Sequence, residues 1–213
     1  MRRGVKLLAI EPHPKRRATY TLVIDGHEPL LVHEDVIVAL ELRVGASIAP
    51  ELESRIAHEQ ALAEAREAAL RLLRVRARSR QELERRLQQK GFPEDVVAQG
   101  VAKLENLGLV NDVEFARDLA RGLVRRQACG RRSLLHRLRA GGVSGEVAEG
   151  VVDELLEGAD EAERATQALR GRLARWESLP PRERQAKAYQ FLARLGYDAD
   201  AISDALNATL TDD

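Results

Sequence analysis

Arginine supplies the one reactive group this sequence offers in quantity. Its planar guanidinium presents a fixed fork of N–H donors that matches a phosphate or a carboxylate, and it keeps its charge at every physiological pH. Across 213 residues the formal charges cancel to zero, yet they are sorted into blocks: residues 70–90 hold eight Arg or Lys against two Glu, and residues 121–139 hold seven Arg and no acid. Residues 164–187 add seven bases against two acids, while 140–163 carry eight acids and no base, and 198–213 carry five Asp. A zero total therefore conceals strong local fields. The first block offers Arg74, Arg76, Arg78, Arg85, Arg86 and Lys90 as contact residues; the second offers Arg125, Arg126, Arg131, Arg132 and Arg137. Such a set can meet an acidic protein surface or nucleic-acid phosphate. A single charge run is commonly a solvated face in which exposed pairs contribute little, but three blocks in register with a repeat are harder to explain that way.

Other chemistries find no constellation. His13, His27, His33, His58 and His136 lack metal-ligand spacing, and Cys129, the single cysteine, cannot complete a zinc site. Cys129 follows a basic run, but no histidine stands beside it to activate the thiol. Gly141-Gly142-Val143-Ser144-Gly145 resembles a phosphate loop, yet no Gly-Lys-Ser or Gly-Lys-Thr follows. The carboxylates of 146–163 fall on one helix face with no implied cleft. The seven aromatics sit at core spacing, Trp176 with Leu169 and Leu173 among them, which does not favour a platform for stacking bases. The expectation is a binding protein, not an enzyme, with no cofactor and no metal.

The elements that must position these arginines are helical. A chain 44% hydrophobic can bury a core, and 32% charged with 3% aromatic residues points to helices and away from a large β sandwich. Only the start differs. Tyr20, Leu22 and Ile24 alternate with Thr21, Val23 and Asp25, Asp25-Gly26 supplies a tight turn, and Leu30-Leu31-Val32-His33 returns, which reads as a hairpin. A strand at Val5 to Ile10 would complete three strands, a short helix from Asp35 to Leu42 would cover them, Gly45 would close it, and another helix would begin near Pro50.

From residue 59 the chain repeats. Leu87 to Phe92 matches Leu138 to Val143 after 51 residues, and Leu192 to Tyr197 after a further 54. Apolar positions move in step: Val97, Val101 and Leu104 with Ala148, Val152 and Leu155, then Ile202, Leu206 and Thr209. Each copy has three helices with readable ends. Ser79 and Glu82 form a capping box, Asn111 or Asp112 with Glu114 starts the next copy, Gly91, Gly142 and Gly196 end each second helix, and Pro93, Ser144 and Asp198 open each third. The reading is a mainly α fold: three tandem three-helix repeats (59–110, 111–160, 161–213) in an elongated, curved array, preceded by a small β-hairpin-containing N-terminal region (1–58).

At these residues the sequence resembles the RecX family of recombination regulators. The resemblance lies in RLLRVRARSRQELERRLQQKGFPEDVV, then LENLGLVNDVEFARDLARGLVRR, with Leu109-Val110-Asn111-Asp112, Phe115 and Ala116 as its most telling part. It covers nearly the whole chain, including the β-containing extension found in some members; the third repeat is the loosest copy. What the resemblance implies is a modulator that binds the RecA recombinase and its filament on single-stranded DNA, along the filament groove, and impairs filament growth, ATP turnover and strand exchange. The charge layout adds an expected bipolar ribbon, first and second helices basic and third helices acidic. Gly91, Asn111, Asp112, Phe115, Gly142 and Gly196 are assigned to capping and core.

The competing reading is a helix-turn-helix protein acting directly on DNA. Against it, the third helix of the first copy, residues 94–107, carries three acids and one Lys, which phosphate would repel. Weak direct DNA contact through the second helices fits either reading. The N-terminal MRRGVKLLAIEPH has too short an apolar run for a signal peptide, no stretch reaches membrane-span length, and one cysteine permits no internal disulfide. A cytoplasmic monomer is expected.

Overall fold

The computed structural model describes residues 5–210; Asp212 and Asp213 of the last acidic block lie outside them. By its contacts the chain falls into two units: residues up to Ala77 together with Leu83–Val110, and Arg78–Glu82 together with residues from Asn111 onward.

The first unit begins with a four-stranded antiparallel sheet of β1 (Val5–Pro12), β2 (Thr19–Ile24), β3 (Leu30–His33) and β4 (Ser47–Ile48), in the order β3-β2-β1-β4. The fourth strand exceeds the expected three; two residues are too few to show a period of two. The register of β1 on β2 shifts between Leu7 and Ala9, so Leu7, opposite Ile24, and Ile10, opposite Leu22, both reach the core despite their odd spacing. The turn after β2 also differs from expectation. Gly26 takes a positive φ of 70° but Asp25 does not, and β3 starts only after Pro29, whose fixed φ and missing N–H postpone pairing. Helix α1 (Glu34–Ala39) follows, its first turn accepted by the imidazole of His33.

Helix α2 (Pro50–Val75) runs unbroken through residue 58, where the sequence suggests a boundary. Its first half gives Ile56 to the sheet core, beside Leu7, Leu22, Val32 and Val36. Its second half gives Ala68 and Ala69 to the first helical core, with Leu83 and Leu87 of α3 (Arg80–Gln88) and Val97, Val101 and Leu104 of α4 (Glu94–Asn106). Gln60 of α2 also accepts the outward N–H of His33 at 2.7 Å, which blocks part of the β3 edge.

The second unit holds α5 (Asp112–Arg126), α6 (Arg131–Ala140) and α7 (Gly145–Leu156), then α8 (Glu161–Leu173), α9 (Pro181–Leu195) and α10 (Ala199–Leu210). The expected equivalences hold in the cores: Leu83, Leu134 and Ala188 are fully buried, as are Leu87, Leu138 and Leu192. Truncating such a leucine to alanine costs about 2–5 kcal/mol. Asn111 Oδ1 caps α5 through Val113 and Glu114, Ser144 caps α7 and Asp198 caps α10.

Within this unit the start of a second helix is closed by residues that follow in the chain. Ser79 Oγ accepts from Glu82 N–H and donates to the Gly141 carbonyl at 2.7 Å, while Arg80 N–H donates to Asp112 Oδ1 at 2.8 Å. The pattern recurs one repeat later. Gly130 N–H donates to the Leu195 carbonyl and Arg131 N–H to Glu161 Oε1, both at 2.9 Å, and Arg132 N–H donates to the Gly196 carbonyl. These are the N–H groups a helix start leaves without internal partners.

Candidate partner and nucleic-acid interface

Helix polarity explains much of the charge sorting. Acids occupy first turns (Glu51 and Glu53, Glu94 and Asp95, Asp112 and Glu114, Glu161 and Glu163), and bases occupy last turns (Arg74, Arg85 and Arg86, Arg125 and Arg126, Arg137 and Arg139). Both placements complement the helix dipole. Two of the three third helices break the balance, since neither α7 nor α10 has a base in its last turn, where α4 has Lys103.

Ion pairs then divide the arginines into occupied and available. In the second repeat α7 binds three of them: Glu149 holds Arg139 at 2.7 Å, Asp153 holds Arg131, and Glu154 holds Arg117 at 2.8 Å. Hydrogen bonds to Glu154 and then Glu114 push the Arg117 guanidinium above its ordinary value. The acidic face of α7 is therefore largely neutralised within its own repeat, which corrects the expected bipolar ribbon there.

Two expected contact residues leave the free set for the same reason. Arg78 is buried, its Nη1 on Glu82 Oε1, and Arg131 is tied to Asp153. Alternation of charge along the chain could not separate Arg131 from its neighbours, because its partner lies 22 residues away. Arg76 donates to the Ala77 carbonyl and Arg126 to the Gly122 carbonyl, and Arg86 is half-buried. Arg74, Arg85 and Lys90 in the first unit, and Arg125, Arg132 and Arg137 in the second, are exposed and make no ion pair among the described residues.

The residues assigned to structure hold such places. Gly91, Gly142 and Gly196 have φ of 91°, 86° and 86°, and Phe115 packs on the second helical core. Asp112 does more than expected, since it closes α3 rather than its own helix. Gly130 and Glu161 were not identifiable from type alone as the counterparts of Ser79 and Asp112; their signal is position, as Gly130 stands 51 residues after Ser79, one repeat length. Among the described residues no group of three or more His, Cys, Asp or Glu is placed to hold a metal, and no helix is long and apolar enough to cross a membrane.

Fold and surface together define a class: a small β head followed by three-helix modules that carry exposed arginines. The family model "RecX, first three-helix domain" matches residues 65–104, and "RecX, third three-helix domain" matches residues 159–206. The Regulatory protein RecX of Mycolicibacterium vanbaalenii is 36% identical over 156 residues, 70% of this chain and 84% of that one. That of Chlorobaculum tepidum is 33% identical over 67% of this chain and 86% of its own length. A crystal structure of regulatory protein RecX superposes with a TM-score of 0.82 at 23% identity, covering 98% of this chain and 100% of that chain. RecX from Lactobacillus salivarius gives 0.64 at 24% identity over 70% and 96%. The chain belongs to the RecX family of regulatory proteins.

Proposed function

We propose that this protein binds a RecA-type recombinase filament on single-stranded DNA and restrains its growth, ATP hydrolysis and strand exchange, acting as a monomer in the cytoplasm. The observation that carries the reading, beside family membership, is the set of arginines left over once internal ion pairs are counted. Arg74 and Arg125 end the first helices of two successive repeats, and Arg85, Arg132 and Arg137 lie on the second helices, all exposed. Exposed guanidinium groups that no carboxylate of the chain neutralises are suited to an acidic protein face or a phosphate chain.

The test is to titrate the protein into recombinase with and without single-stranded DNA and follow ATP hydrolysis. Inhibition is expected at ratios well below one per recombinase subunit. A variant with Arg74, Arg85, Arg125 and Arg132 changed to Glu should lose inhibition while keeping its helical circular dichroism; unchanged inhibition refutes the reading. A helix-turn-helix protein acting on DNA alone would bind duplex tightly and leave ATP hydrolysis untouched. Each arginine that meets phosphate should add about −0.7 to the slope of log affinity against log salt on single strands.

A further inference from the structure

The first unit carries a groove over its two cores, lined in part by Ile10 and Ile37 of one and Leu70 and Leu104 of the other, and apart from the arginines assigned to partner contact. Its floor is one face of α2, where Glu59, Ala63, Arg66 and Leu70 recur at helical spacing over a rise of about 16 Å. Val38 on α1 stands on one side; Leu107 and Leu109, at and beyond the end of α4, stand on the other, and the enclosed volume is about 770 Å³. Val38 is 76% exposed, Leu107 60% and Leu109 51%. Scattered exposed aliphatics are ordinary; here three share one concavity. Leu109 also heads the run Leu109-Val110-Asn111-Asp112, in which Val110 is core, Asn111 caps α5 and Asp112 closes α3. The Leu109 N–H closes α4 on the Leu104 carbonyl at 2.9 Å, while its side chain is left half-exposed.

The rim is acidic. Asp35 is engaged with Arg66 at 2.7 Å and Glu67 with Arg71 at 2.8 Å, while Glu34 and Glu59 make no ion pair among the described residues. Lys103 is the cation on the α4 side.

We propose that this groove receives an amphipathic helix of a partner protein, about three turns long, with aliphatic or aromatic anchors on one face and Lys or Arg flanking them to meet Glu34 and Glu59. A second copy of this chain is a poor occupant, because its basic second helices already bury their apolar residues, Leu83, Leu87, Leu134, Leu138 and Leu192 being fully covered. The inference does not depend on the recombinase reading.

The probe is a fluorescein-labelled helix of about eleven residues, Leu on one face and Lys on the other, followed by anisotropy with the full chain; a Leu-Glu peptide of the same pattern is the control. Saturable binding is expected for the Leu-Lys peptide, at least about tenfold weaker for the Leu-Glu peptide. Val38→Ser, Leu109→Ser and the pair Glu34→Gln with Glu59→Gln should each weaken Leu-Lys binding by about tenfold. Val38, Leu109 and Glu34 are exposed and Glu59 is half-buried without an ion pair among the described residues, so circular dichroism should be unchanged. Equal binding of both peptides, or binding indifferent to all three variants, overturns the proposal. So does a concentration-dependent dimer in sedimentation that Leu109→Ser disperses, which would assign the groove to a second copy.

Discussion

The starts of α3 and α6 are held by the same geometry and different atoms. At α3 the side chain of Ser79 reaches the Gly141 carbonyl; at α6 the backbone N–H of Gly130 reaches the Leu195 carbonyl, with no side chain between. Repeats can therefore conserve a junction as a shape while changing the group that makes it. The two differ in how close the backbones come. A Cβ on Gly130 would strike the backbone of Gly196 and Tyr197, and one on Gly196 would strike the backbone of Ser133. A Cβ on Gly142 meets Ser79 Oγ at 2.5 Å, the end of a short rotatable side chain, and Gln81 Cβ at 3.1 Å.

The largest effect should come from Gly196→Ala. It combines a left-handed backbone, about 1–2 kcal/mol, with a backbone clash that cannot rotate away, about 1–3 kcal/mol, and Gly130→Ala should cost about 1–3 kcal/mol by the clash alone. Urea unfolding followed by the fluorescence of Trp176, which packs on the third helical core, is the measurement. No truncation of a neighbour should restore either variant.

Gly142→Ala should behave differently. It shares the positive φ, but removing the Ser79 side chain opens the space, so Ser79→Gly should recover part of the loss, a coupling of about 1 kcal/mol in a double-mutant cycle. Absence of coupling would mean the two junctions fail for the same reason. Gly91 sharpens the contrast: its φ is also positive, but no heavy atom lies within 4 Å of its missing Cβ.

The capping carboxylates should give a smaller effect of equal size at both starts. Asp112→Ala removes the acceptor of Arg80 N–H, and Glu161→Ala removes that of Arg131 N–H. Each should lower stability by about 1 kcal/mol, the usual worth of a helix cap. A loss confined to one would show that the other helix start is satisfied by different groups.

Repeat length, helix order and the three cores were legible because each rests on local signals: apolar spacing, a capping residue, or a glycine where the chain turns left-handed. Leu83, Leu134 and Ala188 could be matched before any coordinates. The Arg78–Glu82 pair has a local signal, a Glu four residues on where Arg76 has Arg80, but the burial of that pair depends on packing. Charge pairing across the second repeat escaped for a related reason: Arg117 meets Glu154 only because α5 and α7 are brought side by side, 37 residues apart. The groove escaped because Val38 lies about 70 residues from Leu107 and Leu109 in the chain and only packing brings them to one concavity.

The smallest effect separates the junctions by pH. The residue after the turn glycine is Phe92, Val143 or Tyr197, so only the third copy brings an ionisable group there. Burial raises the Tyr197 phenol above its ordinary value of 10, against a lesser opposing pull from the charge of Arg164, whose Nη2 donates to the Cys129 carbonyl at 2.7 Å. A raised folded value means the native state prefers the neutral phenol. Its contribution is therefore whole below the unfolded value and is lost as pH rises from there through the folded one. As pH rises above about 10 the wild-type unfolding midpoint should fall more steeply than that of Tyr197→Phe, which has no proton to lose. The second-repeat core, reported by hydrogen exchange of α6 and α7, should not share that slope. Parallel alkaline profiles for Tyr197→Phe and wild type would show that the phenol is not held in a dry site.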